Sequence, residues 1–235
     1  MSTDIQAPVT WGKTSPDLTQ LRQRANEGLT TLPISPERGF VTSEFAARTT
    51  KAQAQMAQEG LAGLLLMTEP DVRYFSGFHT LFWQSPTRPW FLFVPAEGKP
   101  IAIIPEIGAD LMRRCWLDDI RTWSAPAPED DGISLLVELL APLANLGASI
   151  GVMKGHETSL RMPLGDWERL VSALPGLRVV DATGLVQGLR MVKSAAEIDA
   201  AVKKSADLMQ LSPMLDRKPL ELSGGQQQRC ALARA

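Results

Sequence analysis

The chain has 235 residues, of which 44% are hydrophobic and 21% charged, and its formal net charge is −2. These values are typical of a globular protein with one large or two small domains, and the absence of a lysine- or arginine-rich block excludes a nucleic-acid-binding footprint. The two cysteines, Cys115 and Cys230, argue against a disulfide scaffold and favour a reducing compartment. No stretch approaches about 18 consecutive apolar residues, and the chain does not start with a signal-peptide pattern. The sequence therefore predicts a cytoplasmic protein without a membrane span.

The first 40 residues are polar and include four prolines, which predicts a loosely ordered arm with one short helix near Leu18–Ala25. The following segment has apolar residues at helical spacing. It predicts a helix that begins after Thr42 or Ser43 and ends at Gly60. GLLLM, at Gly63–Met67, is a short apolar run typical of a buried strand.

Strands and helices alternate through the rest of the chain. The first predicted elements are a helical turn and loop at Glu69–His79, and strands at Pro89–Pro95 and Pro100–Pro105 joined as a hairpin by AEGK. They are followed by a helix at Glu106–Cys115, a strand at Ile120–Trp123, a helix at Leu135–Ala144, a strand at Ser149–Met153, and a helix at Pro163–Leu174 with Pro163 at its first position. The last are a strand leading into a short helix at Leu177–Thr183, and a helix from Ala195 to about Leu208 that begins with a capping box at Ser194–Glu197. This alternation predicts an α/β fold, a three-layer domain with a central mixed β-sheet flanked by helices, plus a short helical C-terminal tail.

Two motifs about 120 residues apart carry a resemblance to a known family. PDVRYFSGFHT and the following PTRPWFLFVP come first, and LRMVKSAAEIDAA, with its Arg190, Lys193, Ser194, Glu197 and Ile198, comes later. Over about residues 40–205 the chain resembles the N-terminal domain of the creatinase, prolidase and Xaa-Pro aminopeptidase superfamily.

The resemblance implies a metal-dependent hydrolase of C–N bonds, acting on Xaa-Pro dipeptides, creatine-like amidines or cyclic solutes such as ectoine. In such enzymes a C-terminal "pita-bread" domain uses two Asp, one His and two Glu to hold two divalent ions (Mn, Co, Zn or Fe) that activate water. The whole sequence has two histidines, His79 and His156, and the resemblance ends near Ser205. We therefore expect a truncated, non-catalytic member, with no catalytic or metal-binding residue and no cofactor in this chain.

The N-terminal domain of this family mediates homodimerisation, and one of its loops often lines the substrate pocket of a neighbour. The resemblance makes the loop His79–Trp90 the candidate here, with His79, Trp83 and Arg88 as substrate-lining residues. An arginine there could pair with the carboxylate of a dipeptide or small-molecule substrate. The alternative is structural: the two tryptophans, Trp83 and Trp90, pack on the sheet edge, Arg88 is solvated, and His79 serves the fold.

The residues from about Ala206 onward resemble a different family, the ABC-transporter ATPases. LSGGQQQR, at Leu222–Arg229, matches the ABC signature motif, whose residues here are Ser223, Gly224, Gly225 and Gln226. Ser223 can cap a helix near Gly225–Arg234, and the helix start would present backbone amides to a γ-phosphate. In ABC proteins this motif completes an ATP site whose other parts come from a partner subunit.

The rest of an ABC ATPase is not recognisable. APVTWGKT, at Ala7–Thr14, fits a relaxed phosphate-binding pattern, but no strand can precede it and Pro8 removes one of the needed amides. The favoured hypothesis is thus a hydrolase-family domain joined to an unrelated ABC fragment, with an ABC partner not expected. The alternative is a binding or regulatory module that docks on an ABC transporter ATPase, and a working ATP-binding ABC subunit is less favoured still.

The chain is predicted to consist of four segments. They are an arm at residues 1–40, the creatinase/prolidase-like domain at 41–192, the first part of the pita-bread domain at 193–210, and the ABC signature fragment at 211–235. We expect Leu208, Leu211, Met214 and Leu215 to be exposed or loosely packed, and removal of residues 211–235 to cost little stability.

Overall fold

The computed structural model describes residues 39–85 and 88–234. The predicted helix near Leu18–Ala25 and the segment Ala7–Thr14 lie outside these residues, as does nearly all of the predicted arm. The predicted α/β class and the mixed sheet between helices are confirmed.

The described residues form one sheet and a series of flanking helices. The strands are β1 (Leu61–Leu66), β2 (Phe91–Pro95), β3 (Ile101–Pro105), β4 (Ile120–Trp123), β5 (Ser149–Val152) and β6 (Arg178–Asp181). The helices are α1 (Thr42–Glu59), α2 (Glu69–Ser76), α3 (Ala109–Met112), α4 (Ile133–Asn145), α5 (Leu164–Ala173), α6 (Thr183–Met191), α7 (Ala195–Leu208) and α8 (Gly224–Arg234). None of the helices in the described part of the chain combines the length and apolar character that a membrane crossing requires.

The sheet has the strand order β4-β3-β2-β1-β5-β6. β2 pairs antiparallel with both β1 and β3, while β3 with β4, β1 with β5 and β5 with β6 are parallel. Five strands therefore end at one edge of the sheet, and β2 begins there. Loops from several parts of the chain meet at this edge.

Alternating side chains divide the core into two layers. Leu64 and Leu66 of β1 belong to the layer that also contains Met56 of α1 and Phe75 of α2. Leu65, between them, faces the second layer, which includes residues of α4 and α5. This period-two alternation is what buries a central strand on both faces, so the sheet lies between two layers of helices.

Two predicted elements differ from the observed ones in their bounds. The helix predicted at Glu106–Cys115 is a 3-10 turn at Glu106–Gly108 followed by only four α-helical residues. Pro163, predicted as the first helical residue, has ψ of 140° and is the N-cap instead. The extended conformation of an N-cap is compatible with the fixed φ of proline.

One residue of the tail, Leu211, is more buried than expected. Leu208 and Leu215 are exposed as predicted, but Leu211 is only 5% exposed. Gln210 adopts a left-handed conformation with φ of 55°, and the Leu211 amide donates to the carbonyl of Ala206 at 2.7 Å. This is a Schellman motif, which ends α7 and folds Leu211 back onto it.

A buried guanidinium joins three helices on one side of the sheet. The side chain of Arg48, on α1, is 5% exposed; its Nε lies 3.1 Å from Glu44 Oε1 and its Nη1 donates to the backbone oxygen of Tyr74, on α2, at 2.9 Å. Nη2 lies 3.2 Å from Glu197 Oε1, on α7, an ion-pair distance without hydrogen-bond alignment. Tyr74 in turn donates its hydroxyl to the carbonyl of Leu189, on α6, and burial raises the pKa of that hydroxyl.

Replacing this buried cation tests how far the fold depends on it. The change Arg48→Met should lower the free energy of unfolding by about 3–5 kcal/mol, because it leaves two largely buried carboxylates without their cation. The matched control is Arg113→Met, which removes an exposed ion pair with Asp110 and should cost less than about 0.5 kcal/mol. Urea unfolding followed by circular dichroism measures both, and equal costs would contradict this role for Arg48.

Candidate functional site

The predicted substrate-lining loop lies at the edge where β1 and its parallel neighbours end. Gly77 ends α2 with φ of 73°, a left-handed conformation that glycine adopts without strain. The chain then runs through a 3-10 turn, Leu81–Gln84, and enters β2 at Phe91. Thr80 caps the turn by accepting a hydrogen bond from the Phe82 amide. The loop is therefore anchored at both ends by regular structure.

His79 is on the surface of this loop. Its Nδ1 lies 3.0 Å from Glu69 Oε1, and the imidazole is 55% exposed. Glu69 is in the first turn of α2, so the contact joins the two ends of that helix–loop segment. An exposed imidazole beside a carboxylate is accessible to a ligand, but it also has a structural partner.

Trp83 occupies a buried position. It is 8% exposed, and its ring centroid lies 5.7 Å from that of Trp90 and 6.3 Å from that of Phe78. Trp90 is fully buried, and a Cβ on Gly108 would come within 2.3 Å of its ring. Trp83 thus forms the base of the loop, and little of its surface is available to a ligand.

The residue that holds the loop is Arg161, which the sequence analysis did not identify. Its guanidinium lies 4.8 Å above the Trp83 ring. Nη1 donates to the backbone oxygen of Arg88 at 2.9 Å, and Nη2 donates to those of Trp83 and Ser85. Burial lowers the pKa of Arg161 below its ordinary value, while the charge of Glu69 opposes that shift. A single cation in the segment between β5 and α5 therefore binds three carbonyl groups of the loop, those of Trp83, Ser85 and Arg88.

Arg88 contributes its backbone to this clamp and keeps its side chain available. It is half-buried, and within the described part of the chain no ion pair or hydrogen bond engages its guanidinium. Such a group can pair with a carboxylate through two parallel hydrogen bonds. Of the three predicted residues, His79 is exposed, Arg88 is half-buried and Trp83 is buried beneath the loop.

A second fixed turn lies at the same edge, after β5 and β6. Asp181 Oδ1 accepts hydrogen bonds from the amides of Lys154 and Thr183 and from the Thr183 hydroxyl. These hydrogen bonds, led by that of the Thr183 hydroxyl, lower the pKa of Asp181. The Thr183 hydroxyl oxygen also accepts from the Gly155 amide at 2.8 Å. The Asp181 carboxylate therefore stabilises the turn at the start of α6.

The described residues contain no group of three or more histidine, cysteine, aspartate or glutamate side chains placed to hold a metal ion. His156, the second histidine of the chain, is exposed in the turn after β5. A dinuclear metal centre of the kind that the resemblance implies does not fit these residues.

The signature-motif residues are at the start of α8. Ser223, Gly224 and Gly225 are exposed, and Gln226 is half-buried. Ser223 and Gln226 cap the helix reciprocally: the Ser223 amide donates to Gln226 Oε1 at 2.8 Å, and the Gln226 amide donates to Ser223 Oγ at 3.4 Å. The Ser223 side chain thus serves the helix cap, as the sequence predicts.

Removing the Arg161 guanidinium should loosen the loop. In Arg161→Met, amide hydrogen exchange across residues 79–90 should accelerate by roughly tenfold or more, because three charge-assisted hydrogen bonds are lost. Arg169→Met is the control, since Arg169 is exposed and its hydrogen bonds among the described residues go to Glu129 and Asp166, outside the loop. Exchange measured by mass spectrometry that is equally fast in both variants would contradict the clamp.

Comparison with protein families and solved structures identifies the family to which most of the chain belongs. The model of the creatinase/prolidase N-terminal domain matches residues 48–192, well over half of the chain. The dipeptidase PepE from Mycobacterium ulcerans superposes with a TM-score of 0.53 at 29% identity, covering 78% of this chain and 46% of PepE. A dipeptidase from Pyrococcus horikoshii has a similar fold, with a TM-score of 0.52 at 19% identity over 69% of this chain and 42% of the enzyme.

A short segment has other relatives. The sn-glycerol-3-phosphate import ATP-binding protein UgpC 3 from Rhizobium etli is 65% identical over 40 residues, and the alpha-glucoside transport ATP-binding protein AglK from Rhizobium meliloti is 47% identical over 62 residues. The chain spans only 12% and 17% of the length of these two proteins. The short segment is therefore homologous to ABC import ATPases, while the chain as a whole belongs to the creatinase/prolidase N-terminal domain family.

Proposed function

We propose that residues 41–192 act as the accessory, non-catalytic domain of a metal-dependent hydrolase of C–N bonds. The observation that supports this most directly is the family match over residues 48–192 together with a loop that holds an available guanidinium, that of Arg88, at the sheet edge. PepE is a dipeptidase, which favours dipeptides over creatine- or ectoine-like solutes as the substrate class.

The proposed role of the loop is to line a substrate pocket rather than to perform chemistry. Arg161 and Trp83 fix its backbone, and Arg88 would pair with a substrate carboxylate, with His79 beside it. Because the chemistry would belong to a different domain, the loop acts across an interface. We propose that this interface arises by homodimerisation through the domain.

The proposal assigns no metal to the described residues, since no suitable ligand group exists among them. Any two-metal chemistry of the parent family would use ligands from elsewhere. Cys115 and Cys230 form no disulfide among the described residues, which suits a reducing compartment, so we place the protein in the cytoplasm.

Peptidase assays on the purified chain test this proposal. With Mn²⁺ or Co²⁺ present, we expect hydrolysis of Ala-Pro and Gly-Pro to stay at the rate of buffer alone, because nothing in the described domain activates water. Light scattering after size exclusion should give the mass of a dimer. Chelator-sensitive hydrolysis would contradict the non-catalytic role, and a monomer at all concentrations would contradict the interface.

The α8 segment supports a second candidate function, docking on the nucleotide of an ABC ATPase. The supporting observation is that Ser223, Gly224 and Gly225 are exposed at the start of an eleven-residue helix. A helix start of this kind offers amides and partial positive charge to phosphate.

Equilibrium dialysis with ATP and Mg²⁺ separates the two candidates. If the segment has no function of its own, the purified chain alone should bind no ATP up to millimolar concentration, and it should not change the amount of ATP bound by an ABC import ATPase. Saturable ATP binding that exceeds the binding of the ABC protein measured alone, and that returns to that level with Gly224→Asp, would favour docking. The control is Gln228→Asp, which places the same charge farther along α8.

A further inference from the structure

A cavity of about 290 Å³ opens on the helical face of the domain, between the start of α1, α2 and the junction of α6 with α7. It does not include the loop of residues 79–90. Its walls include three aromatic side chains, Phe40, Phe45 and Tyr74, and the cationic side chains of Arg73, Arg190 and Lys193. Its volume is at the lower end of the range for small-molecule sites, so a ligand that fills it would be small.

Among the described residues, two of the cations at this cavity have no acidic partner. Arg190 Nη1 is held 2.8 Å from Asp71 Oδ1, a carboxylate that is 3% exposed. Lys193, by contrast, donates to the backbone carbonyl of Arg190. Arg73 is exposed, and among the described residues its guanidinium has no hydrogen-bond or ion-pair partner. The exposed side of the cavity therefore has an excess of positive charge.

The opposite side is aromatic and held in place, with the ion-paired side chains of Arg48 and Glu197 also lining the cavity. The Arg48 guanidinium carbon lies 4.6 Å from the ring centroids of both Phe40 and Tyr74, and 5.3 Å from that of Phe45. Phe45 is 5% and Tyr74 9% exposed. Because Arg48 is itself fixed by Glu44 and Glu197, these rings form a wall that needs no rearrangement before a ligand binds.

We propose that this cavity binds a small organic carboxylate with a flat apolar body. Its carboxylate pairs with Arg73 and Lys193 at the mouth, and its body packs against Phe40 and Tyr74 inside. An arginine fork suits the planar carboxylate, and the rings give no favourable contact to a bare inorganic anion. This site is independent of the proposed hydrolase role, since it uses neither the loop of residues 79–90 nor a metal.

Benzoate serves as the probe, with benzamide and inorganic phosphate for comparison. In saturation-transfer NMR titrations of the full chain, benzoate should bind saturably with a dissociation constant below about 1 mM. Benzamide has the same shape without the charge, and it should bind at least tenfold more weakly. Phosphate, which has the charge without the ring, should not displace benzoate at equal concentration.

Substitutions locate the site. Arg73→Gln and Lys193→Gln should each weaken benzoate binding about tenfold, the effect expected for loss of one charge-assisted contact. Arg114→Gln is the matched control, because Arg114 is exposed and does not line the cavity, and it should leave the affinity unchanged within about twofold. Arg73 and Lys193 are both exposed, so the variants should fold, which circular dichroism verifies.

Each of the following results would overturn the proposal. They are the absence of saturable benzoate binding to the folded wild-type chain, equal binding of benzamide, and equal loss of affinity in the Arg114 control. Displacement of benzoate by phosphate would show that the site selects charge alone, which would also overturn the assignment of an apolar ligand body.

Discussion

The buried cation of Arg48 is the interaction on which the helical side of this domain depends. It connects α1 to α2 through the carbonyl of Tyr74 and to α7 through Glu197, while its guanidinium also lies against three aromatic rings. A charge at 5% side-chain exposure is costly unless its partners surround it. Once those partners are in place, their geometry fixes the relative positions of three helices and creates the cavity between them.

A second arginine has the corresponding role at the edge of the sheet. In the described part of the chain, no carboxylate lies within hydrogen-bond distance of Arg161, whose guanidinium instead donates to backbone carbonyls of the loop that carries Arg88. Guanidinium groups suit both tasks because their five donors lie in one plane and their faces pack on aromatic rings. The loop therefore combines a buried aromatic support, Trp83, with the guanidinium of Arg88, which has no hydrogen-bond or ion-pair partner among the described residues. That combination is compatible with the substrate-lining role that we propose for the loop.

The sequence predicts the elements whose signals are local. The capping box at Ser194 and Glu197 marks the start of α7 at the observed residue, because the same four residues contain the donors and acceptors that the helix end requires. The strand Ile120–Trp123 is likewise predicted at its observed bounds. α3 is shorter than its apolar pattern suggests, since the packing of Trp90 against Gly108 is a long-range constraint that no pattern near Glu106 reveals.

The candidate site is harder to predict for the same reason. Arg161 lies more than 70 residues from the carbonyls it binds, and nothing in its own neighbourhood distinguishes it from a surface arginine. Trp83 and Arg88 belong to one loop, yet burial divides them into support and surface. Only the fold determines which member of such a loop faces inward.

The Glu197 carboxylate affects the orientation of α7, which begins directly after residue 194. Its Oε2 accepts from the Ser194 amide at 2.9 Å while its Oε1 faces Arg48, so one carboxylate both starts α7 and fixes the direction in which the helix leaves the domain. The helix has 14 residues, a length of about 21 Å, and a tilt of about 10° at its first turn would displace its far end by roughly 4 Å. The Glu197 side chain thus influences the direction of α7. The position of any segment beyond Leu208 therefore depends on the ion pair between Glu197 and Arg48.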